Sequence, residues 1–580
     1  MCNSDRNHRL ARALVQLLIL PLLVAGNPAP PDIIPIDEIR PGAKGTGLTV
    51  LSGDSLTRFG VEVIDVMRNV TPRGDLILCR LSGAGLEHTG VIQGMSGSPV
   101  YIDGRLAGAV AYTWEFSKDP IAGITPITEM TRIWQQEDIT GGLRRRTSAV
   151  RPSPSSGNGS IPLRLPLAIS RLSPRAAAIA APALAELGLT PVAAAAGGPT
   201  VESASTPKME PGAAIGVALA DGDVSMAAVG TLTMREGDRV LAFGHPMLQA
   251  GPVLMPMIAG TIHCVIPSVA SSFKLFSPGP IVGAVTEDRL NGIAGRLGVE
   301  APMLPVRVRL ESPTTSEDYR FRIVPHETFA PLLLAVGLTD IVFQSEGSLE
   351  ELTLESDITI RLDSADCRIR HFLSGPDPVA DMFRLVRSEL SLLLDNRFRE
   401  VRPAEIDVRL QFRPGRALVW LTSATPERQV IRPGDTLRIA LRLTDYRGRD
   451  TLCTTALPIP ATVPAGRLNI LIGVADSLMG YEMNRAPGRF QPASLSELID
   501  LLSRSGNEDR IRIVGLTGHP GFTMSGRELP SVPPAIRRVL AARTPDRRVE
   551  PTAASAVLEQ TLTLGSVMSG VAQLEVEVRR

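Results

Sequence analysis

Thr57-Arg-Phe-Gly-Val-Glu-Val-Ile-Asp-Val-Met67 alternates apolar and polar residues with a period of two, which puts Phe59, Val61 and Val63 on one face of an extended strand. From Ile34 to about Ile139 the chain consists of short runs of this kind broken by glycine, so residues 30–140 read as a β domain. The whole chain agrees: 52 Gly, 48 Pro and 4% aromatic residues in 580 positions suit many short strands joined by turns, and the expected fold class is mainly β. The length allows roughly three to five domains. Lys+Arg 60 balance Asp+Glu 60, which leaves no electrostatic reason to expect nucleic acid or anionic lipid as a partner.

At the start, Arg6, Arg9 and Arg12 precede an apolar run from Ala13 to Ala25, the pattern of a signal peptide over residues 1–26. No later stretch reaches the ~18 uninterrupted apolar residues of a membrane helix. The expectation is an exported protein of the periplasm, cell envelope or exterior, without a transmembrane segment once the signal is removed. Cys79, Cys264, Cys367 and Cys453 remain after that removal; none lies in a C-x-x-C pair, and they read as buried free thiols.

Residues 141–210 read as a linker, with Pro152-Ser-Pro-Ser-Ser-Gly-Asn-Gly-Ser160 followed by an Ala-rich helix over 174–188 interrupted near Pro182. A second Gly-rich β block spans 211–310. Two short echoes hint at related units: Gly45-Thr-Gly-Leu-Thr-Val-Leu-Ser-Gly-Asp54 against Gly230-Thr-Leu-Thr-Met-Arg-Glu-Gly-Asp238, and Gly108-Ala-Val110 against Gly283-Ala-Val285. Beyond it, residues 311–580 read as a β-rich accessory region of sandwich type, because the alternation of Val306-Arg-Val-Arg-Leu310 recurs in Thr436-Leu-Arg-Ile-Ala-Leu-Arg-Leu443, with Leu437, Ile439, Leu441 and Leu443 on one face. Leu495 to Leu502 has the spacing of an amphipathic helix, and nothing chemical stands out in this half.

The sharpest chemical feature is Gly94-Met-Ser-Gly-Ser-Pro99. Glycines on both sides of Ser96 permit a tight turn that exposes Oγ, and the N–H groups of Gly94 and Ser96 are candidates for an oxyanion hole. A serine nucleophile needs a base. His245, in Gly237-Asp-Arg-Val-Leu-Ala-Phe-Gly-His-Pro246, stands at a strand mouth in a Gly-His-Pro turn; His88 and His263 are the other candidates. No two histidines stand at i, i+4 and no Cys/His zinc spacing occurs, so neither a metal nor a cofactor is expected.

Three segments resemble the sporulation stage IV B (SpoIVB) serine peptidases: Gly90-Val-Ile-Gln-Gly-Met-Ser-Gly-Ser-Pro99, Gly108-Ala-Val-Ala-Tyr112 with Asp119-Pro-Ile-Ala-Gly123, and Val229-Gly-Thr-Leu-Thr233 leading to Phe243-Gly-His-Pro246. The resemblance implies a trypsin-like double β-barrel peptidase acting on protein or peptide, with Ser96 as nucleophile and His245 as base. The order is exchanged, since in the sporulation proteins the histidine segment comes first. Chain order does not limit such a site, because the same geometry arises with several orders. The acid of the family falls near Ser82 in Leu81-Ser-Gly-Ala-Gly-Leu-Glu-His88, where no Asp stands. Asp75, from the serine block, and Asp288, from the histidine block, are the candidates. The strand Ala109 to Trp114 is expected to flank the cleft and pair with an extended substrate. The alternative is a catalytically weak or inactive peptidase-fold binding or scaffold protein of the envelope.

Overall fold

The computed structural model describes residues 32–135, 161–194, 208–345, 351–541 and 549–580, apart from 72, 73, 115, 364, 507 and 531. The signal-peptide segment and, of the 141–210 linker, residues 141–160 and 195–207 lie outside the described residues.

Six strands build the first unit: β1 (Lys44–Val50), β2 (Leu56–Thr71), β3 (Gly74–Ser82), β4 (Pro99–Ile102), β5 (Arg105–Thr113) and β6 (Ile121–Pro126). They pair in the order β1-β2-β3-β6-β5-β4, and β4 pairs back onto β1, which closes a barrel. The alternation in β2 does what its pattern requires: Phe59, Val61 and Val63 are all buried and join Ile77, Cys79, Val100 and Val110 in the barrel core.

After β7 (Ile161–Pro162), β8 (Leu165–Ser170) and β9 (Leu189–Ala194), a second set follows: β10 (Ala214–Gly222), β11 (Met226–Glu236), β12 (Arg239–Ala242), β13 (Gly251–Ile266), β14 (Phe273–Arg289) and β15 (Gly292–Leu297). These are part of a thirteen-stranded sheet, but the pairing of β10 with β11 closes them into a ring in the order β10-β11-β12-β15-β14-β13. Numbered within each ring, both orders are 1-2-3-6-5-4. The chain is therefore a double β-barrel in which the two barrels share one topology. The echo between Gly108-Ala-Val110 and Gly283-Ala-Val285 falls on the fifth strand of each barrel; the other echo pairs a first strand with a second and has no such equivalence.

The sheet does not stop at the expected boundary near residue 310. β16 (Leu304–Glu311) and β17 (Ser316–Ile323) join it through pairing of β17 with β10, and the strands Leu352–Arg361, Cys367–Ser374 and Glu405–Pro414 extend it further. The helix Phe329–Ser345 is buried along nearly its whole length and packs against the helix Pro378–Leu394, so the histidine barrel and this extension share one hydrophobic core. The Ala-rich helix runs Pro174–Ala185 with Pro182 inside it rather than ending there: Pro182 is only three residues from the C-terminus, and Ser173 caps the start by accepting from the Ala176 N–H.

From residue 418 onward a four-stranded and a five-stranded sheet bury Leu437, Ile439, Leu441 and Leu443 of one against Leu468, Ile470, Ile511 and Ile513 of the other, a sandwich core. The amphipathic helix forms over Leu495–Arg504 with Ser494 as its cap. The four cysteines are free, with Cys79 and Cys367 buried and Cys264 exposed. No helix among the described residues is long and apolar enough to cross a membrane.

Candidate active site

Ser96 lies in the connection between the third and fourth strands of the first barrel, and His245 lies in the connection between the third and fourth strands of the second. Because the barrels share a topology, the two residues occupy corresponding places in the two halves. The connections meet. A Cβ on Gly97 would stand 2.0 Å from the Thr231 carbonyl oxygen and 2.4 Å from the Phe243 nitrogen, and one on Gly244 would stand 3.1 Å from the Ala109 Cβ. Gly97, at φ 91°, is required twice over, for its left-handed backbone and for this close approach. Phe243 also has positive φ, 71°, a costly conformation for a bulky residue, and it immediately precedes Gly244-His245.

The serine turn is held both by its carbonyls and by its N–H groups, Gln93 N–H donating to Ser272 O at 2.8 Å, Met95 N–H to Ile92 O at 3.0 Å and Gly97 N–H to Val110 O at 2.8 Å. Gln93 O accepts from the Lys274 N–H at 3.1 Å, Met95 O from the Ser98 N–H at 2.9 Å and Ser96 O from the Thr231 N–H at 2.8 Å. Gly94 O accepts from Thr231 Oγ1 at 3.0 Å and Gly97 O from Thr233 Oγ1 at 2.7 Å. In a planar trans peptide the carbonyl and the following N–H point in opposite directions. Anchoring Gln93 O on Lys274 therefore turns the Gly94 N–H away from that strand, the Ser98 bond to Met95 O fixes the peptide that carries the Ser96 N–H, and among the described residues neither N–H meets a protein acceptor.

Ser96 is fully buried and His245 is 2% exposed. Ser96 Oγ and His245 Nε2 both lack a hydrogen-bond partner, so the serine and histidine are not bonded to each other in this state. His245 Nδ1 is 2.8 Å from the Pro246 carbonyl oxygen. A carbonyl only accepts, so Nδ1 carries the proton and Nε2 presents its lone pair, the tautomer a base requires. Burial lowers the imidazole pKa to about 4, with the Pro246 bond pulling the other way, so the ring is neutral above that pH.

Asp288, near the end of the fifth strand of the histidine barrel, is fully buried. Its carboxylate accepts from the N–H groups of Met247 and Leu248 at 2.8 Å each and of Ala250 at 3.2 Å. It anchors the loop that follows His245, while the ring's Nδ1 is bonded to Pro246. Burial pushes this carboxyl up to about 6, against the pull of its N–H donors. Asp75 stands elsewhere: its oxygens accept from Arg68 at 2.7 Å and from the Asn69 N–H at 2.9 Å, in a surface group with Asp37. His88 is exposed, and His263 is exposed with Nε2 2.7 Å from Ser277 Oγ.

The strand expected to receive an extended substrate is already paired. Tyr112 and Thr113 of β5 are matched by Pro162 and Ile161, and the Leu163 N–H donates to Ala111 O at 2.9 Å. Residues 161–163 of the chain itself fill that edge.

Sequence reasoning did not single out Lys274, which is fully buried beneath the serine turn, with Nζ 2.8 Å from Thr49 Oγ1 and 3.4 Å from Thr231 Oγ1. It sits where Phe276, two residues on, is also buried, so the period-two pattern alone could have placed it inward. Among the described residues no group of His, Cys, Asp and Glu is placed to hold a metal ion.

Residues 28–130 match the SpoIVB peptidase S55 family. The match covers the first barrel and the serine turn and ends before the histidine barrel. It relates this part of the chain to peptidases, whose substrates are proteins or peptides. No curated protein and no solved structure matches the chain significantly.

Proposed function

We propose that the protein is a serine endopeptidase in which Ser96 is the nucleophile and His245 the general base. In this reading Nε2 takes the Oγ proton as Oγ attacks the carbonyl carbon of a peptide bond. The Gly94 and Ser96 N–H groups bind the resulting oxyanion. The imidazolium then returns its proton to the leaving amine, and water, activated by the same ring, hydrolyses the acyl-enzyme. The observation that carries this reading is the pair of unused N–H donors flanking an unpartnered serine hydroxyl, in a turn interlocked with a histidine whose tautomer leaves Nε2 free.

Asp288 enters as the anchor of the 247–250 loop, and the Pro246 carbonyl takes over the tautomer-fixing work that a carboxylate performs in a Ser-His-Asp site. Asp75 has no part, because Arg68 and Asn69 occupy its carboxylate. The arginine-flanked apolar segment at the N-terminus supports export, and with it a substrate in the envelope or beyond.

The burial of both Ser96 and His245 favours a second reading, a peptidase fold retained as a scaffold. Fluorophosphonate labelling of the purified protein, read by mass spectrometry at Ser96, separates the two. An active site gives labelling that is lost in Ser96→Ala and His245→Ala. A well-folded protein that takes no label at any pH rejects the peptidase reading.

A further inference from the structure

Lys274 has no carboxylate to justify its burial. Thr49 from β1 and Thr231 from β11 supply hydroxyls, the Gly94 turn lies against its stem, and no charged side chain among the described residues faces it from any of these elements. A Cβ on Gly94 would come within 3.1 to 3.4 Å of the Lys274 stem, so the glycine at the head of the oxyanion turn rests directly on this side chain. The same residue's backbone N–H holds Gln93 O, and Thr231 links its amine to Gly94 O. Lys274 thus holds the 93–94 peptide through its backbone and, by way of Thr231, the 94–95 peptide through its amine.

We propose that Lys274 is a positioning residue for the oxyanion-binding turn, its buried amine fixing the Thr231 hydroxyl onto Gly94 O and so holding the 94–95 peptide, which links the peptides that carry the Gly94 and Ser96 N–H groups. The inference rests on the peptidase reading for its catalytic meaning but not for its structural content. The hydrogen-bond inventory explains the control. Thr231 Oγ1 has one proton, and Ser98 Oγ lies 3.4 Å away as another neighbour. An ammonium only donates, so beside charged Lys274 the Thr231 proton goes to Gly94 O; a neutral amine accepts as well, and the hydroxyl can turn to it and release the carbonyl. Desolvation lowers the Lys274 pKa to about 7, which puts this change close to neutrality. The turn is firm below that pH and loosens above it, while His245 becomes a competent base above about 4.

The test compares wild type with Lys274→Met and with Thr231→Val, which keeps the shape of Thr231 and removes its hydroxyl. Two readouts are taken between pH 5 and 9. The first is amide hydrogen exchange of residues 93–98, corrected for intrinsic chemical exchange and compared with the C-terminal sandwich as an internal reference. In wild type, protection of these amides is expected to fall at least tenfold between pH 6 and 8; in either variant it is already low at pH 6 and changes no further. The second is the rate of fluorophosphonate labelling at Ser96, which in wild type falls above pH 7 and in the variants lacks that alkaline limb. Equal protection of residues 93–98 in wild type and both variants overturns the proposal whether or not the protein labels. Normal, pH-independent protection with no labelling would sink both ideas, whereas the expected exchange pattern without labelling sinks only the peptidase reading.

Discussion

Replacing Asp288 by Asn tests how His245 is held. The two Asp288 oxygens share three backbone donors: one oxygen takes Met247 N–H, the other takes Leu248 and Ala250 N–H. An Asn amide has a single acceptor oxygen. Placed where it keeps Leu248 and Ala250, it faces Met247 N–H with its own NH₂ group and leaves a buried donor unpaired, at roughly 1–3 kcal/mol. The two surviving bonds lose their charge assistance, about 1 kcal/mol each, so the whole change comes to roughly 3–5 kcal/mol, concentrated in residues 246–250. Burial of the carboxyl, which pushes it up to about 6, offsets part of this at neutral pH because the Asn is uncharged. The ring itself keeps its Pro246 bond. We therefore expect faster hydrogen exchange in the 246–250 loop and a fluorophosphonate labelling rate lowered about tenfold. A triad acid bonded to the ring would instead take the rate down about 10⁴-fold with the geometry intact. A loss of that size, with unchanged exchange in the loop, would refute the division of labour between Asp288 and Pro246.

Gly97→Ala is expected to abolish labelling and to destabilise the barrel pair by roughly 2–6 kcal/mol, since a methyl 2.0 Å from the Thr231 oxygen adds overpacking to the strain of a left-handed backbone. Gly104→Ala, also at positive φ but with nothing within 4 Å, isolates the strain alone and should label normally in the same assay. His371 predicts a pH dependence of stability. Burial works against its charge, but hydrogen bonds to Glu389 at 2.7 Å and Glu508 at 3.1 Å outweigh it and raise its pKa to about 9. Its contribution is complete below about pH 6.5 and is lost as the pH rises to 9, at about 1.4 kcal/mol per unit. Lys274 has the opposite sign, because between pH 7 and 10.5 the unfolded chain holds a proton that the folded chain does not. Denaturant midpoints for the thirteen-stranded sheet should accordingly be flat from pH 7 to 9 in wild type and rise with pH in His371→Gln; the same pH response in wild type and variant would contradict the raised pKa of His371.

Local pattern carried much of this architecture. Alternation in 57–63, 306–310 and 436–443 was enough to name buried faces, because a strand in a closed or stacked sheet has only two sides and one of them must be dry. Ser96 and His245 could be named as candidates from local sequence because glycines on either side of a serine and a Gly-His-Pro sequence mark tight turns, and Gly94 and Gly97 do take φ near 90°. The histidine–glutamate group at His371, Glu389 and Glu508 escaped notice because its members are 18 and 137 positions apart and meet only when a helix and a loop pack on one strand. The same is true of the anchors of the oxyanion turn. Thr231 and Lys274 are an ordinary strand threonine and lysine by sequence, and only barrel closure brings them beneath Gly94. Pairing within a strand depends on neighbours a few residues away and is written into composition and spacing. Which carbonyl a distant hydroxyl will hold, and whether an amine is left without water or a counter-charge, is decided when the two barrels come together, since burial and hydrogen-bond direction belong to the assembled pair and to neither segment alone.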